Sequence, residues 1–342
     1  MRIALWHGHT LVDEIQQPLG LRYFHIDPDT GFYLNGKPYR LYGVCTHDDR
    51  LKIGRAATKA DYIQDCQMIY DLGARSVRLA HYQHDQTMYR VFDRLGIVVW
   101  TEDGLVNHLE QERKFDDNAR QQFIELVKQN YNHPCVFVWS LYNELAFHPM
   151  PQSQTVLTFS PTPEPISEYR FNRLHPTKFS LPWQLIITLN QLAHDLDPSR
   201  LTVAASNQGP SAPINFITDI ISFNRYSGWY GWHPSDWAPQ LDIIRREVQD
   251  RMPGRAIGLS EYGAGQIRCS INHLLVSRNR VDNGTRKNGS AWCTKPHIRP
   301  LRSSHGCGIP RFGLCLIFHP PGGTKGASWG AMIKAWSPTT VR

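Results

Sequence analysis

Between Leu41 and Glu261 the chain alternates short, almost wholly apolar runs with stretches whose apolar residues recur every three or four positions. A strand buried on both faces of a parallel sheet reads as a continuous apolar run, and a 3.6-residue period marks an amphipathic helix. Seven runs qualify as strands: 41–45, 76–80, 97–102, 136–144, 201–206, 220–224 and 256–261. Helices are expected over 58–72, opening at an N-cap Thr58, and over 85–95, 116–130, 181–196 and 235–250. Strand alternating with helix predicts the α/β class, a (β/α)8 TIM barrel that is incomplete at its eighth strand. The run GLCLIF at 313–318 is a candidate for that strand. The Pro-rich stretch 148–180 reads as a long loop on the face where barrels carry their active sites.

The two ends of the chain read differently. Residues 11–40 alternate apolar and polar positions, and DPDTG and LNGKP supply two turn signals. Residues 1–38 are therefore expected to be the remnant of a preceding β-sandwich, immunoglobulin-like domain, with the barrel over 39–266. Past Gln266 the periodicity is lost. Residues 267–342 hold twelve Lys and Arg against the single acid Asp282, a charge of +11, which leaves −4 on the rest of a chain whose total is +7. This basic tail reads as either out of the ancestral frame or disordered.

That distribution changes what the charge implies. The basic excess lies outside the main body, so it marks no phosphate-binding face there, and no nucleic-acid partner is expected. Three cysteines in the main body and four in the tail form no CxxC pair, which suits free thiols in a reducing cytoplasm. The N-terminus has no continuous apolar segment and no run approaches a membrane span. There is no P-loop, GxGxxG or HExxH, so nucleotide, dinucleotide and zinc-protease chemistry are not expected.

Two carboxylates end predicted strands, Glu144 in WSLYNE and Glu261 in GLSEYG. On barrel strands four and seven they would face each other across the mouth. Glycosidic hydrolysis needs one carboxylic acid to protonate the leaving oxygen and one carboxylate to attack or to activate water. The competing reading is that each Glu simply ends a strand in solvent.

The segments GFYLNGKPYRLYGV, GARSVRLAHYQH, GIVVWTE, QNYNHPCVFVWSLYNE and SEYGAG, in this order, resemble glycoside hydrolase family 2, the β-galactosidase and β-glucuronidase family. The resemblance covers about residues 11–266. It implies a β-linked carbohydrate as substrate and a retaining mechanism with Glu144 as acid/base and Glu261 as nucleophile. It also implies that Asn143 binds the sugar 2-hydroxyl, that His47 and His81 line the pocket with Arg78 beneath it, and that Tyr226 holds the nucleophile. Trp229, just past the sixth strand, is a candidate for stacking on a sugar face. Structural uses compete for several of these: core histidines, an ion pair at Arg78, lid packing at Trp229.

Thr46 stands where the family usually has Arg, and Asp85 where Pro or a small residue is common. Val106 and His108 fall where large β-galactosidases hold magnesium with Glu and His, so no metal is expected, magnesium being the alternative, and the double displacement that the resemblance implies calls for no organic cofactor. The resemblance puts a β-galactosidase first. β-glucuronidase, another family 2 β-glycosidase, and an inactive or merely sugar-binding remnant are the alternatives. Oligomerisation is not readable.

Overall fold

The computed structural model describes residues 1–50, 52–110, 112–145, 181–227, 233–263, 313–315 and 317–318. Its strands are β1 (Arg2–His7), β2 (Thr10–Gln16), β3 (Phe24–Asp27), β4 (Gly31–Leu34), β5 (Lys37–Pro38), β6 (Gly43–Thr46), β7 (Ser76–Leu79), β8 (Val98–Glu102), β9 (Val136–Asn143), β10 (Leu201–Ser206), β11 (Ile220–Asn224), β12 (Ala256–Glu261), β13 (Gly313–Cys315) and β14 (Ile317–Phe318). Its helices are α1 (Lys59–Asp71), α2 (Gln86–Leu95), α3 (Arg113–Asn130), α4 (Leu181–Leu196) and α5 (Trp237–Arg251).

The apolar runs became strands because both of their faces are covered. Every residue of β6, β7, β8, β9 and β11 is buried. Strands β6 to β12 pair in chain order, each parallel to the next. Their inward side chains, among them Val98, Trp100, Val138 and Val203, form one buried cluster, while α1 to α4 pack a second against the outside. The run at 313–318 does not supply a parallel eighth strand. It pairs antiparallel to β6 through β13 and antiparallel to β12 through β14. Apolar patterning predicts a strand but carries no information about its direction.

Local chemistry sets the helix ends. Thr58 accepts from the Asp61 N–H while Asp61 accepts from the Thr58 N–H, a reciprocal cap at the start of α1. Asp85 caps α2 by accepting from the Thr87 N–H at 2.7 Å, so its carboxylate has a definite use. Gly96 ends α2 in the left-handed region that the turn into β8 requires.

The segment before the barrel forms a β1–β2 hairpin and a three-stranded antiparallel meander, β3 to β5. Phe24 and Phe32 of the meander meet the edge of Phe137 at ring separations of 6.2 and 5.7 Å, and Ile26 and Phe32 share a core with Val98, Phe137 and Ile220. These barrel residues lie at or near the starts of their strands, so the meander plugs the end of the ring opposite the mouth. Each such buried side chain contributes roughly 1.5–3 kcal/mol.

The same end anchors β9. Asp197 accepts from Trp139 Nε1 at 3.0 Å and from Arg200, which also donates to the Val136 carbonyl. Asp93, His133 and Cys135 form a second clasp. Both His133 nitrogens are engaged, one with Asp93 at 2.6 Å and the other with Gln86, so the trio is a hydrogen-bonded lock. Among the described residues Cys45, Cys66 and Cys135 are free thiols, and no helix is long and apolar enough to cross a membrane.

Candidate active site

The two strand-end glutamates each come after an irregularity in pairing. Two steps along β10, from Val203 to Ala205, match three along β9, from Ser140 to Asn143. One step along β11, from Phe223 to Asn224, matches two along β12, from Leu259 to Glu261. The extra residue bends the strand and re-aims the side chain at its end. Glu144 comes immediately after the first bulge with φ at +51°, in the left-handed region that side chains other than glycine rarely adopt. Its N–H is held by the Ala205 carbonyl at 2.8 Å.

Arg78, fully buried on β7, is the centre of the site. It donates to Glu261 at 2.6 Å, to Asn143 Oδ1 at 2.8 Å, and through two nitrogens to the carboxylate of Glu102 at 2.8 Å each. Burial alone would make its charge costly, but Glu102 and Glu261 more than offset that and hold it firmly cationic. Burial would raise the Glu261 carboxyl in turn. The charge on Arg78 and the hydroxyl donated by Tyr226 bring it below its ordinary value, so it is a carboxylate across the neutral range. Tyr226 is correspondingly kept as a phenol by burial and by the charge of Glu261.

Glu144 is held by a different contact. Asn224 Nδ2 donates to Glu144 Oε1 at 2.7 Å, and the amide oxygen of Asn224 accepts from Ser260 Oγ at 2.7 Å. Asn224 also approaches Asn143 Oδ1 at 3.2 Å, which joins the Glu144 and Arg78 networks. A cleft of about 630 Å³ opens beside Glu144, lined by Gln208, Asn224, Arg225, Tyr226 and Gln240.

The structure thus brings Glu144, Glu261, Asn143, Arg78, His81 and Tyr226 to one mouth. His47 is exposed at its rim, its ring 5.0 Å from that of His81 and nearly perpendicular to it. Trp229 lies outside the described residues, as do the long loop 148–180 and the tail apart from β13 and β14. Three contributors were not singled out from sequence: Glu102, Asn224 and Ser260. Glu102 is a carboxylate that ends an apolar strand, the signal that marked Glu144 and Glu261, so that rule applied evenly would have found it; Asn224 also ends such a strand but carries no charge. At the family's magnesium position the carboxylate is missing: Val106 has no ligating side chain and pairs through its backbone with Asn143.

Asp103, next to Glu102, is buried, and one of its oxygens has no partner among the described residues. Burial pushes its carboxyl up to about 7, against a partial opposing pull from the Gly104 N–H. A raised acid favours the fold while protonated, so its contribution is full below about pH 4 and is lost as pH rises through about 7. Asp103→Asn is therefore expected to gain on the wild type with pH. In urea unfolding the difference should grow by up to about 4 kcal/mol between pH 4 and pH 8; a difference independent of pH would show that the Asp103 carboxyl is not held neutral.

Residues 27–160 match the family described as "Glycosyl hydrolases family 2, TIM barrel domain". A β-glucuronidase of Bacteroides fragilis is 38% identical over 303 residues, covering 86% of this chain and 38% of its own length. A β-galactosidase of Klebsiella pneumoniae is 32% identical over 149 residues, 42% of this chain and 14% of the relative. The crystal structure of an FMN-binding β-glucuronidase from Facaelibacterium prausnitzii L2-6 superposes with a TM-score of 0.65 at 32% identity, over 78% of this chain and 37% of that one. This chain spans well under half the length of these relatives. With its seven parallel strands in barrel order, its strand-end glutamates and these similarities together, the chain belongs to glycoside hydrolase family 2.

Proposed function

We propose that the chain carries the catalytic site of a retaining β-glycosidase that works by double displacement. The observation that supports this most directly is the opposite treatment of two carboxylates in one network. Glu261 is gripped by a cation and a phenol and kept ionised, as a nucleophile must be. Among the described residues Glu144 is hydrogen-bonded by the neutral amide of Asn224 rather than gripped by a cation, with Arg225 nearby in the same cleft. It faces that cleft, where it can exchange a proton with a leaving group or with water. In the first step Glu261 attacks the anomeric carbon while Glu144 protonates the departing oxygen. In the second, Glu144 takes a proton from water, which displaces Glu261 and releases the sugar. Asn143, oriented by Arg78, would bind the 2-hydroxyl, a contact that tightens as oxocarbenium character develops. His47 and His81 would line the sugar pocket.

The sugar we favour is a terminal β-D-glucuronide ahead of a β-D-galactoside. Sequence alone put the galactoside first. The Bacteroides fragilis β-glucuronidase is 38% identical over 86% of the chain, against 32% for a Klebsiella pneumoniae β-galactosidase over 42% of it and 32% for a "putative beta-galactosidase" of known structure over 78%, so the balance rests on the higher identity. Hydrolysis of p-nitrophenyl β-D-glucuronide, galactoside and mannoside by the purified chain decides this. The glucuronide is expected to lead by at least about tenfold in kcat/KM. A galactoside lead restores the sequence-based order, and absence of turnover on all three removes the glycosidase reading. A second reading, sugar binding without turnover, draws on the antiparallel segment that stands in the eighth-strand position. It would show as saturable binding of the same sugars with no nitrophenol released.

A further inference from the structure

Glu102 is fully buried, and its carboxylate is the most heavily bonded group in the site. Oε2 accepts from Arg78 Nε at 2.8 Å, Trp100 Nε1 at 2.9 Å and Ser140 Oγ at 3.1 Å. Oε1 accepts from Arg78 Nη2 at 2.8 Å and lies 3.1 Å from His81 Nδ1. Five donors thus converge on two oxygens, a demand that only an ionised carboxylate can meet. Burial would raise this acid, but the charge of Arg78 and the His81 contact bring it down to about 2.

The geometry also fixes the imidazole. Arg78 Nη2 has two hydrogens, and Glu102 Oε1 and Asn143 Oδ1 use both, each at 2.8 Å. The 3.0 Å approach of Nη2 to His81 Nδ1 is therefore not a hydrogen bond. That leaves Nδ1 as the donor of a hydrogen bond to Glu102 Oε1 at 3.1 Å, with Nε2 3.7 Å from Glu261. The hydrogen bonds of Arg78 then divide by function: Nε and one N–H of Nη2 bind Glu102, while Nη1 and the other N–H of Nη2 hold Glu261 and Asn143.

We propose that Glu102 is the positioning residue of this site: it fixes the Arg78 fork and the Nδ1–H tautomer of His81, and through them the placement of Glu261 and Asn143. The kinetic part of this inference rests on reading Glu261 as the nucleophile; the tautomer part does not. Glu102→Gln is nearly isosteric, but it offers one acceptor oxygen and turns an NH2 group toward groups that are themselves donors. Loosening the fork by an ångström is expected to cost about 100-fold in kcat with little change in KM. Glu102→Asp keeps the charge at shorter reach and should fall between Gln and wild type.

The test uses the full chain in three forms, wild type, Glu102→Gln and Glu102→Asp, with circular dichroism and thermal unfolding to measure the folded fraction. Nitrophenyl glycoside kinetics give kcat and KM. Long-range ¹H–¹⁵N spectra of histidine-labelled protein, assigned with His81→Gln, report the His81 tautomer. Support requires a single Nδ1–H form in the wild type that is lost in folded Glu102→Gln, together with the fall in kcat. The proposal is overturned if folded Glu102→Gln keeps the wild-type tautomer, or if activity falls only as far as the folded fraction does. Should Glu102→Gln not fold, the Asp variant decides by the same two readings. A wild type without turnover would count against the glycosidase reading alone, since the tautomer comparison still decides this one.

Discussion

Replacing Glu261 with Gln is expected to lower turnover of nitrophenyl glycosides by about 10⁴-fold or more while leaving the fold in place. The fold should survive because the change is isosteric and Glu261 keeps part of its exposure at the mouth. Of its two donors, Arg78 Nη1 at 2.6 Å and the Tyr226 hydroxyl, the amide oxygen can still accept from one. Losing the other charge-assisted bond costs about 1.5–3 kcal/mol, which urea unfolding would register as a lower midpoint without a new transition. The chemistry has no such reserve. An amide oxygen does not displace an aglycone at an anomeric carbon to leave a stable glycosyl-enzyme, so the first step has no nucleophile. The measurement is kcat together with the intact mass of the protein after a brief pulse of substrate. A covalent sugar adduct on the wild type and none on the variant is the expected pair of results. A folded Glu261→Gln chain that keeps more than a few per cent of wild-type turnover would remove Glu261 from the nucleophile's role.

The legible parts of this fold are those set by local forces. Strands β7 to β12 were legible almost to the residue because burial on both faces leaves a mostly apolar run, as in VFVWSLYN. Helix α1 was legible at its start because Thr58 and Asp61 announce a reciprocal cap. The start of α3 at Arg113 was missed by three residues because Glu112 makes no capping bond with its side chain. The direction of 313–318 could not be read, since it depends on which edges of the sheet are within reach. The site divides in the same way. Glu144 and Glu261, and Glu102 by the same rule, stand out as charges that end apolar runs, but that Arg78 joins two of them does not. Its neighbours across the sheet, Cys45 and Trp100, are fixed by register, and its carboxylates lie 24 and 183 residues away in the chain. The two bulges are also invisible to pattern, because an extra residue in a largely buried strand leaves a mostly apolar run looking the same.

The second large effect is expected at Glu144, and its size should depend on the leaving group. In Glu144→Ala the backbone need not change: Ala keeps the Cβ, the positive φ and the N–H bond to Ala205. Asn224 stays tethered through Ser260 and Asn143, so the lost side chain leaves a space bordered by fixed polar groups. A dinitrophenolate departs without being protonated, so formation of the glycosyl-enzyme on Glu261 should be slowed less than about tenfold. An alkyl aglycone needs the proton, and its cleavage should fall by roughly 10²–10⁴-fold. The second step loses its base for every substrate. Dinitrophenyl glycosides should therefore give a burst of one equivalent and then a slow steady state with a lowered KM, because the intermediate accumulates. Azide, a small anion that needs no base, should enter the vacated space and restore steady-state release. Its product should be the β-glycosyl azide, since two displacements return the original configuration. Equal losses for activated and unactivated leaving groups, with no response to azide, would place the acid/base elsewhere. The azide response separates the two glutamates, because Glu261→Gln never forms the intermediate that azide could release.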